Sequence, residues 1–271
     1  MDIQIREFGL GDLDFGLGLS GLAGWNQTEA DWRRLVGYSP RGCFVAEYGG
    51  MLAGTVSTLC YGEDMAWIGM MLVHPDFRRK GIATALMKRA LEYLLEEKGI
   101  RCVKLDATPE GLPVYGRLGF REELTLHRWS GWTMHGEELA GSGAELENLE
   151  IQVQGFGREL GGFLKELALS SLCVHQRKEG FGMIREGARK LFLGPVFAGN
   201  PATGREIVES LLAMQDKRPV YWDIPEGNVT AVNLAKELGF QVERKLVRMW
   251  FGEEIPGDPK VLWGICGPEM G

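Results

Sequence analysis

The sequence Val73-His74-Pro75-Asp76-Phe77-Arg78-Arg79-Lys80-Gly81-Ile82-Ala83-Thr84 decides how the rest of the chain is interpreted. An apolar run ends at Pro75, three cations follow, and an amphipathic helical pattern begins after Gly81. A strand that turns abruptly into a helix leaves backbone N–H groups free at the positive end of the helix dipole, which favours an anion. Because glycine lets a ligand approach the backbone closely, the stretch predicts a pyrophosphate site.

Two common nucleotide motifs do not fit this stretch. The lysine-and-hydroxyl ending of a P-loop is absent, and so are the three spaced glycines of a dinucleotide fold. The hexapeptide from Arg78 to Ala83 instead resembles the [QR]-x-x-G-x-[GA] acyl-CoA signature of the GNAT acetyltransferases. Leu72-Val73-His74-Pro75 is similar to the usual lead-in of that signature. The alternative interpretation is a surface helix with a solvated, basic first turn.

The resemblance implies that acetyl-CoA is the co-substrate and that the strand end and the helix start hold it. The implied residues are Met71, Leu72, Val73, Arg78, Arg79, Lys80, Gly81, Ile82, Ala83 and Thr84. A backbone N–H near Met71 or Leu72 would receive the thioester carbonyl as negative charge develops on it. No metal is expected in this chemistry.

A second motif points to a catalytic tyrosine. GNAT proteins commonly carry N-x-x-A-x-x-x-Y-x-x-x-G-F, which in the first half reads Thr108, Gly111, Tyr115, Gly119 and Phe120. The tyrosine is kept, so the resemblance implies that Tyr115 protonates the departing thiolate. A tyrosine with an ordinary pKa of about 10 carries its proton at neutral pH. The alternative for Tyr115 is a packed aromatic ring on a short helix.

The base that takes a proton from the acceptor amine is not evident in the sequence. Many GNAT relatives place a glutamate on the fourth strand, whereas residues 66–72 contain no carboxylate. The nearby options are Asp106, Glu63, Asp64 and Glu47. Asp106 is repeated as Asp223, which favours a turn-capping role for both. Cys60 and Cys102 are expected to be buried and inert, so direct transfer in a ternary complex is predicted.

The acceptor residues are predicted around Gly24-Trp25-Asn26-Gln27. Large aromatic side chains such as Trp25 and Trp32 usually belong to the core. In GNAT proteins this segment borders the acceptor pocket, and Gly-Trp-Asn-Gln resembles a signature of a tandem-domain subgroup. The resemblance therefore implies that Trp25, Asn26 and Trp32 contact the substrate.

The second half repeats the first. Leu238-Gly239-Phe240 follows Leu118-Gly119-Phe120 by 120 residues, and Arg248 follows Phe240 at the distance at which Arg128 follows Phe120. Counting forward from Val196 without gaps places Pro201-Ala202-Thr203-Gly204 opposite Arg78-Arg79-Lys80-Gly81, and the register of the repeated Gly-Phe pair places Ala235 opposite Tyr115. Since the cations and the tyrosine are lost, we expect a degenerate copy that binds no CoA.

Composition limits the remaining possibilities. The 271 residues carry a net charge of −7 and five cysteines without a CxxC pair. No apolar run is long enough to cross a membrane, and no basic-then-apolar leader opens the chain. These features predict a cytoplasmic protein with reduced thiols that binds neither membrane nor nucleic acid.

The predicted fold class is α+β or α/β with two GNAT-like domains, each a mixed, mostly antiparallel sheet flanked by helices. Residues 1–130 form the acetyltransferase domain, the glycine- and glutamate-rich residues 131–150 a linker, and residues 151–271 the degenerate domain. The predicted activity is acetyl transfer from acetyl-CoA to a primary amine of a small molecule or peptide. A non-catalytic acyl-CoA sensor and a CoA-independent scaffold are the alternatives, and a homodimer is left open.

Overall fold

The computed structural model describes residues 2–134, 160–213 and 216–271. The first half contains β1 Ile3–Glu7, α1 Leu13–Leu22, α2 Glu29–Tyr38, β2 Phe44–Tyr48, β3 Met51–Tyr61, β4 Met65–Val73, α3 Ile82–Glu92, β5 Cys102–Ala107, α4 Leu112–Arg117 and β6 Arg121–Trp132. The second half contains α5 Leu160–Leu169, β7 Cys173–Arg177, β8 Gly180–Arg185, β9 Leu191–Ala198, α6 Pro201–Ala213, β10 Pro219–Pro225, α7 Val229–Glu237, β11 Gln241–Gly252 and β12 Leu262–Gly264. No helix among these residues is both long and apolar enough to cross a membrane.

All twelve strands belong to one sheet. Its order is β1-β2-β3-β4-β5-β11-β6-β10-β9-β8-β7, and β12 pairs with β9. The pairs β4/β5 and β9/β10 are parallel, and the other pairs are antiparallel. The sheet is therefore continuous through both halves of the chain.

The two halves exchange their last strands. β11 from the second half lies between β5 and β6, and β6 from the first half pairs with β10. Because β6 continues to Trp132, the start of the predicted linker is still strand. The rest of that linker, residues 135–150, lies outside the described residues.

The exchange explains the repeated Asp and Arg residues. Arg248 on β11 binds Asp106 on β5 through contacts of 2.9 and 3.0 Å. Arg128 on β6 binds Asp223 on β10 in the same way, at 2.7 and 2.6 Å. Each buried arginine thus pairs with the aspartate of the other half, and the expected turn-capping role of both aspartates is wrong.

Strands β4 and β5 pair at one end and separate toward the other, and this separation positions the cleft described below. They pair only from Met65 to Trp67, and beyond this point β4 forms no strand pair on that side within the described residues. Met70 has a positive φ of 47° at a bulge opposite β3. The Thr55 hydroxyl donates to Met70 O at 2.8 Å and holds the bulge in place.

Helix α1 contains three glycines, at positions 16, 18 and 21. Glycine has a low helical propensity, yet the helix is continuous from Leu13 to Leu22. A Cβ on Gly16 would come within 3.0 Å of the Trp32 ring. Packing of the two helices has therefore outweighed the low helical propensity of glycine. Helix α2 is capped by Thr28, whose hydroxyl oxygen accepts from Asp31 N at 3.3 Å.

Candidate active site

The connection between β4 and α3 leaves several backbone amides without acceptors. The first hydrogen bond of α3 runs from Ala85 N to Gly81 O at 3.0 Å. Within the described residues, the amides from Arg79 to Thr84 donate to no protein atom. Arg79 (φ 62°) and Gly81 (φ 83°) both have left-handed backbones, and nothing lies within 4 Å of a Cβ built on Gly81. These amides form an open surface at the positive end of the helix dipole, which fits an anion.

Three exposed cations accompany these amides. Arg78 Nε donates to Val73 O at 3.4 Å, and Lys80 Nζ lies 4.8 Å from the centroid of the Tyr48 ring. Arg79 makes no hydrogen bond or ion pair within the described part of the chain. Of the three, Arg79 is therefore the most available to a phosphate.

A cleft opens where β4 and β5 separate. It encloses about 540 Å³, part of it open to solvent. The first half contributes Trp25, Gln27 and Tyr115 together with the facing residues of β4 and β5, including Met71. The second half contributes Arg244, Leu246, Pro268 and Glu269. Both halves thus build one cleft. The side chains of Leu72 and Ile82 are buried elsewhere, so only their backbone is available to a ligand.

Tyr115 lines the cleft from α4. Its ring packs beside Phe120, with the ring centroids 6.1 Å apart, and its hydroxyl has no hydrogen-bond partner in the described residues. Burial raises the pKa of Tyr115 to about 12. The phenol therefore keeps its proton at neutral pH.

The three predicted acceptor residues have different positions. Trp25 lines the cleft. Asn26 holds the loop before β9, since its Oδ1 accepts from Lys190 N at 3.0 Å and its Nδ2 donates to Lys190 O at 2.9 Å. Trp32 is fully buried and stacks on Phe8, with ring centroids 5.0 Å apart. The structure therefore places Trp32 in the core and Asn26 at the contact between the halves, and neither lines the cleft.

The carboxylates considered as bases either lie outside the cleft or are paired with an arginine. Glu63 and Asp64 are exposed, and Asp64 pairs with Arg101 at 2.7 Å. Glu47 pairs with Arg6 at 2.9 Å. Asp106 reaches the cleft but is held by Arg248, as described above. Cys102 is not among the described residues that line the cleft, and burial raises the pKa of its thiol.

The last residues of the chain bring a carboxylate to the cleft. Trp67 Nε1 donates to Pro268 O at 2.9 Å, and the Tyr61 hydroxyl donates to Met270 O. Glu269 then lies against β4, where a Cβ on Gly69 would come 2.4 Å from Glu269 O. Gln27 Nε2 donates to the Glu269 carboxylate at 2.6 Å. Burial raises the pKa of Glu269, and Arg185 opposes this shift. The carboxylate missing from the fourth strand is thus replaced from the second half.

Glu269 and Arg244 were both missed in the sequence. Glu269 lies about two hundred residues from β4 in the chain, and no local pattern marks it. Arg244 follows the repeated Gly-Phe pair in a strand rich in charge. Gln27, which binds Glu269, lies in the Gly24-Trp25-Asn26-Gln27 segment, so the sequence did indicate its position near the acceptor pocket.

The connection between β9 and α6 is too short to form a loop like the one that precedes α3. β9 ends at Ala198 and α6 begins at Pro201, whereas eight residues separate β4 from α3. The ungapped alignment of Gly204 with Gly81 is therefore wrong, since Gly204 lies in the first turn of α6. The Asn200 side chain accepts from Thr203 N at 2.9 Å and caps that helix.

The opening between β9 and β10 is filled by the chain itself. Strands β9 and β10 pair only over three residues, as β4 and β5 do. β12 pairs with β9 beyond that point, and Ile265 N donates to Asp223 O at 3.2 Å. The Trp263 indole covers α6, where a Cβ on Gly204 would come 2.2 Å from its ring. Asn228 Nδ2 donates to Leu262 O at 3.1 Å and holds this segment.

Splayed parallel strands, a bulged β4 and an open helix start define the class of protein. The profile of the Acetyltransferase (GNAT) family matches residues 19–120, and that of the Acetyltransferase (GNAT) domain matches residues 149–264. The chain belongs to the GNAT acetyltransferase family and has two GNAT units. The predicted family and fold class are confirmed.

Particular relatives extend over nearly the whole chain. N-acetyltransferase YitH of Bacillus subtilis (strain 168) is 22% identical over 272 residues, which cover 94% of each chain. Holothin acyltransferase of Pseudoalteromonas sp. (strain SANK 73390) is 24% identical over 91% of this chain and 87% of its own. An acetyltransferase structure from Pyrococcus horikoshii has a TM-score of 0.81 and 20% identity over 99% of this chain and 96% of its own. The sequence relatives support acyl transfer as the general activity, and the solved structure supports the fold.

Proposed function

We propose that the chain transfers an acetyl group from acetyl-CoA to a primary amine in a ternary complex, at the cleft beside β4. The observation that carries this proposal is the set of unpartnered amides from Arg79 to Thr84 at the mouth of a cleft lined by Tyr115. Their geometry fits a pyrophosphate, and Gly81 leaves the backbone accessible. When bound, acetyl-CoA supplies the acetyl group as a thioester and leaves as a thiol.

The residues of the cleft divide the proton transfers between them. The Glu269 carboxylate takes a proton from the acceptor ammonium, because its raised pKa brings it closer to neutral pH. The nitrogen lone pair can then form the new bond to carbonyl carbon, and the carbon–sulfur bond breaks. Tyr115 donates its phenolic proton to the departing sulfur. The nitrogen loses a second proton as the amide forms, and transfer of this proton to the Tyr115 phenolate restores the phenol. Glu269 releases the first proton to solvent, so the reaction yields the amide, the thiol and one proton.

The second half is proposed to bind no CoA. Its α6 lacks the preceding loop, and the segment that contains Trp263 fills the space between its strands. The proposed role of that half is mainly structural. It also contributes Glu269 and Arg244 to the cleft of the first half.

Replacement of Arg79 by glutamate should weaken binding of acetyl-CoA. A charge-assisted hydrogen bond contributes roughly 1.5–3 kcal/mol, so Kd should rise at least about tenfold. Isothermal titration calorimetry measures this change. Lys88→Glu is the matched control, because Lys88 is exposed on α3 outside the loop and gives the same change of charge. An absence of binding by the unchanged protein, or equal Kd values for all three proteins, would contradict the proposed site.

Replacement of Glu269 by glutamine should remove the acid limb of the pH profile. The carboxylate is a base only above its raised pKa, so kcat/KM of the unchanged protein should fall as the pH drops through that value. The variant should lose roughly 10²–10⁴-fold in kcat/KM and show no such limb. Glu254→Gln, at an exposed position, is the control. A variant that keeps the same acid limb would show that another group is the base.

The sensor alternative is distinguished by turnover. A non-catalytic module would bind acetyl-CoA with the same loop dependence but release no thiol in excess of hydrolysis when amines are added. Glu269 supplies the cleft with a carboxylate that the fourth strand lacks, which supports the catalytic proposal over the sensor.

A further inference from the structure

Arg244 is a charged side chain of the cleft that forms neither a hydrogen bond nor an ion pair within the described residues. Its Nε is fully buried and has no hydrogen-bond partner in the described residues. None of its nitrogens forms an ion pair within that part of the chain. Of the two carboxylates of the cleft, Asp106 binds Arg248 at 2.9 Å, and Glu269 accepts from Gln27 at 2.6 Å and lies 3.8 Å from an Arg185 nitrogen. Each carboxylate therefore has a cationic partner, whereas Arg244 forms no ion pair in the described residues.

A β-bulge keeps the neighbouring carboxylate away from Arg244. β11 carries one extra residue, Glu243, between two positions that pair with consecutive residues of β6. The Glu243 carboxylate accepts from the Tyr221 hydroxyl at 2.7 Å and from Lys190 Nζ at 3.0 Å. It is thus engaged with two other groups and leaves the guanidinium unpaired. Bulges next to active sites often redirect a side chain in this manner.

The same bulge sets the direction of Arg244. Arg244 and Leu246 are two residues apart on β11, so they share one face of the strand. Both line the cleft. Arg248, two residues further on the same face, is the partner of Asp106. One arginine of this row is therefore paired within the protein, and the other is available to a ligand.

The environment of Arg244 makes an anionic ligand favourable. Burial lowers the pKa of Arg244 and the nearby Arg128 lowers it further, whereas Asp223, Tyr221 and Glu243 act in the opposite direction. An arginine side chain keeps its charge in proteins at neutral pH. A partly buried charge without a partner is unfavourable, and an anion that pairs with it removes that cost.

We propose that the acceptor carries a carboxylate as well as its amine, and that Arg244 binds the carboxylate. This inference rests on the proposed acyl transfer and narrows its acceptor to amino acids with a free carboxylate. The planar guanidinium offers paired N–H donors that match the two oxygens of a carboxylate. Such an acceptor is a zwitterion, and the cleft provides Glu269 for its ammonium and Arg244 for its carboxylate.

The test compares free amino acids with their amides. The twenty common L-amino acids, β-alanine, γ-aminobutyrate and the corresponding primary amides serve as acceptors at saturating acetyl-CoA. Thiol release corrected for hydrolysis gives kcat/KM for each pair. For the unchanged protein, at least one free acid should exceed its amide by about a hundredfold, as expected for loss of one partner of a buried charged pair. Arg244→Gln should lose that preference, and the exposed neighbour variant Lys245→Gln should keep it.

Stability separates binding from a structural role. Removal of an unpaired buried charge should leave the Tm of Arg244→Gln equal to or above that of the unchanged protein. A lowered Tm, together with equal losses for acids and amides, would assign Arg244 a structural role and overturn the inference. Equal rates with acids and amides, or no turnover with any member of the panel while acetyl-CoA binds, would also overturn it. A protein that fails to bind acetyl-CoA in calorimetry would instead contradict the proposed function.

Discussion

Replacement of Asp106 by asparagine is expected to destabilise the protein by about 3–5 kcal/mol, because it leaves the Arg248 guanidinium buried without a counter-charge. The side chains of the pair are 0% and 4% exposed. Burial opposes the charge on Arg248, yet the attraction of Asp106 raises the pKa of Arg248. Urea unfolding followed by tryptophan fluorescence measures the difference in the free energy of unfolding.

The strand exchange makes this prediction a test of the whole architecture. Asp223→Asn should destabilise to a similar degree, since Arg128 would lose its partner across the same exchange. Asp64→Asn is the matched control, because Asp64 pairs with Arg101 on an exposed surface. It should leave the free energy of unfolding nearly unchanged.

A double variant separates the charge from the packing. Asp106→Leu combined with Arg248→Met removes both charges, and it should recover much of the stability that Asp106→Asn loses. A loss below about 1 kcal/mol for Asp106→Asn would place the pair in solvent, as is typical of exposed ion pairs. That result would contradict the placement of β11 between β5 and β6.

The sequence was sufficient to predict the local features of the first half. The strand before Pro75, the helix after Gly81 and the short helix that carries Tyr115 are all set by neighbouring residues, and the structure contains all three. The repeat of Asp106 as Asp223 was also visible. Its meaning was not, because the pairing partner of each aspartate lies in the other half and depends on which strands exchange.

Long-range features of the site could not be predicted from local pattern. Glu269 reaches β4 because the residues before it fill the opening between β9 and β10 and then continue to Trp67. Trp32 looked like a substrate residue from its neighbours in the sequence, but the stack on Phe8 places it in the core. Spacing along a chain indicates which elements form, whereas the composition of a cleft depends on where distant elements meet.

Replacement of Tyr115 by phenylalanine is expected to reduce kcat by roughly 10²–10⁴-fold while the Kd for acetyl-CoA stays nearly the same. The hydroxyl has no hydrogen-bond partner in the described residues, so its removal breaks no contact of the fold. The ring, which packs beside Phe120, is retained by the variant. The loss should therefore appear in the chemical step and not in stability or binding.

The pH dependence gives an independent measurement of the same role. Burial raises the pKa of Tyr115 to about 12, so the phenol stays protonated through the moderately alkaline range. Deprotonation of Tyr115 should therefore cause no decline in kcat of the unchanged protein below about pH 10. Tyr93→Phe is the control, since Tyr93 is buried against Phe44 and does not line the cleft. An equal fall in kcat and in affinity for acetyl-CoA would make Tyr115 a binding residue, because an acid that acts only on the departing sulfur has no effect before the thioester is attacked.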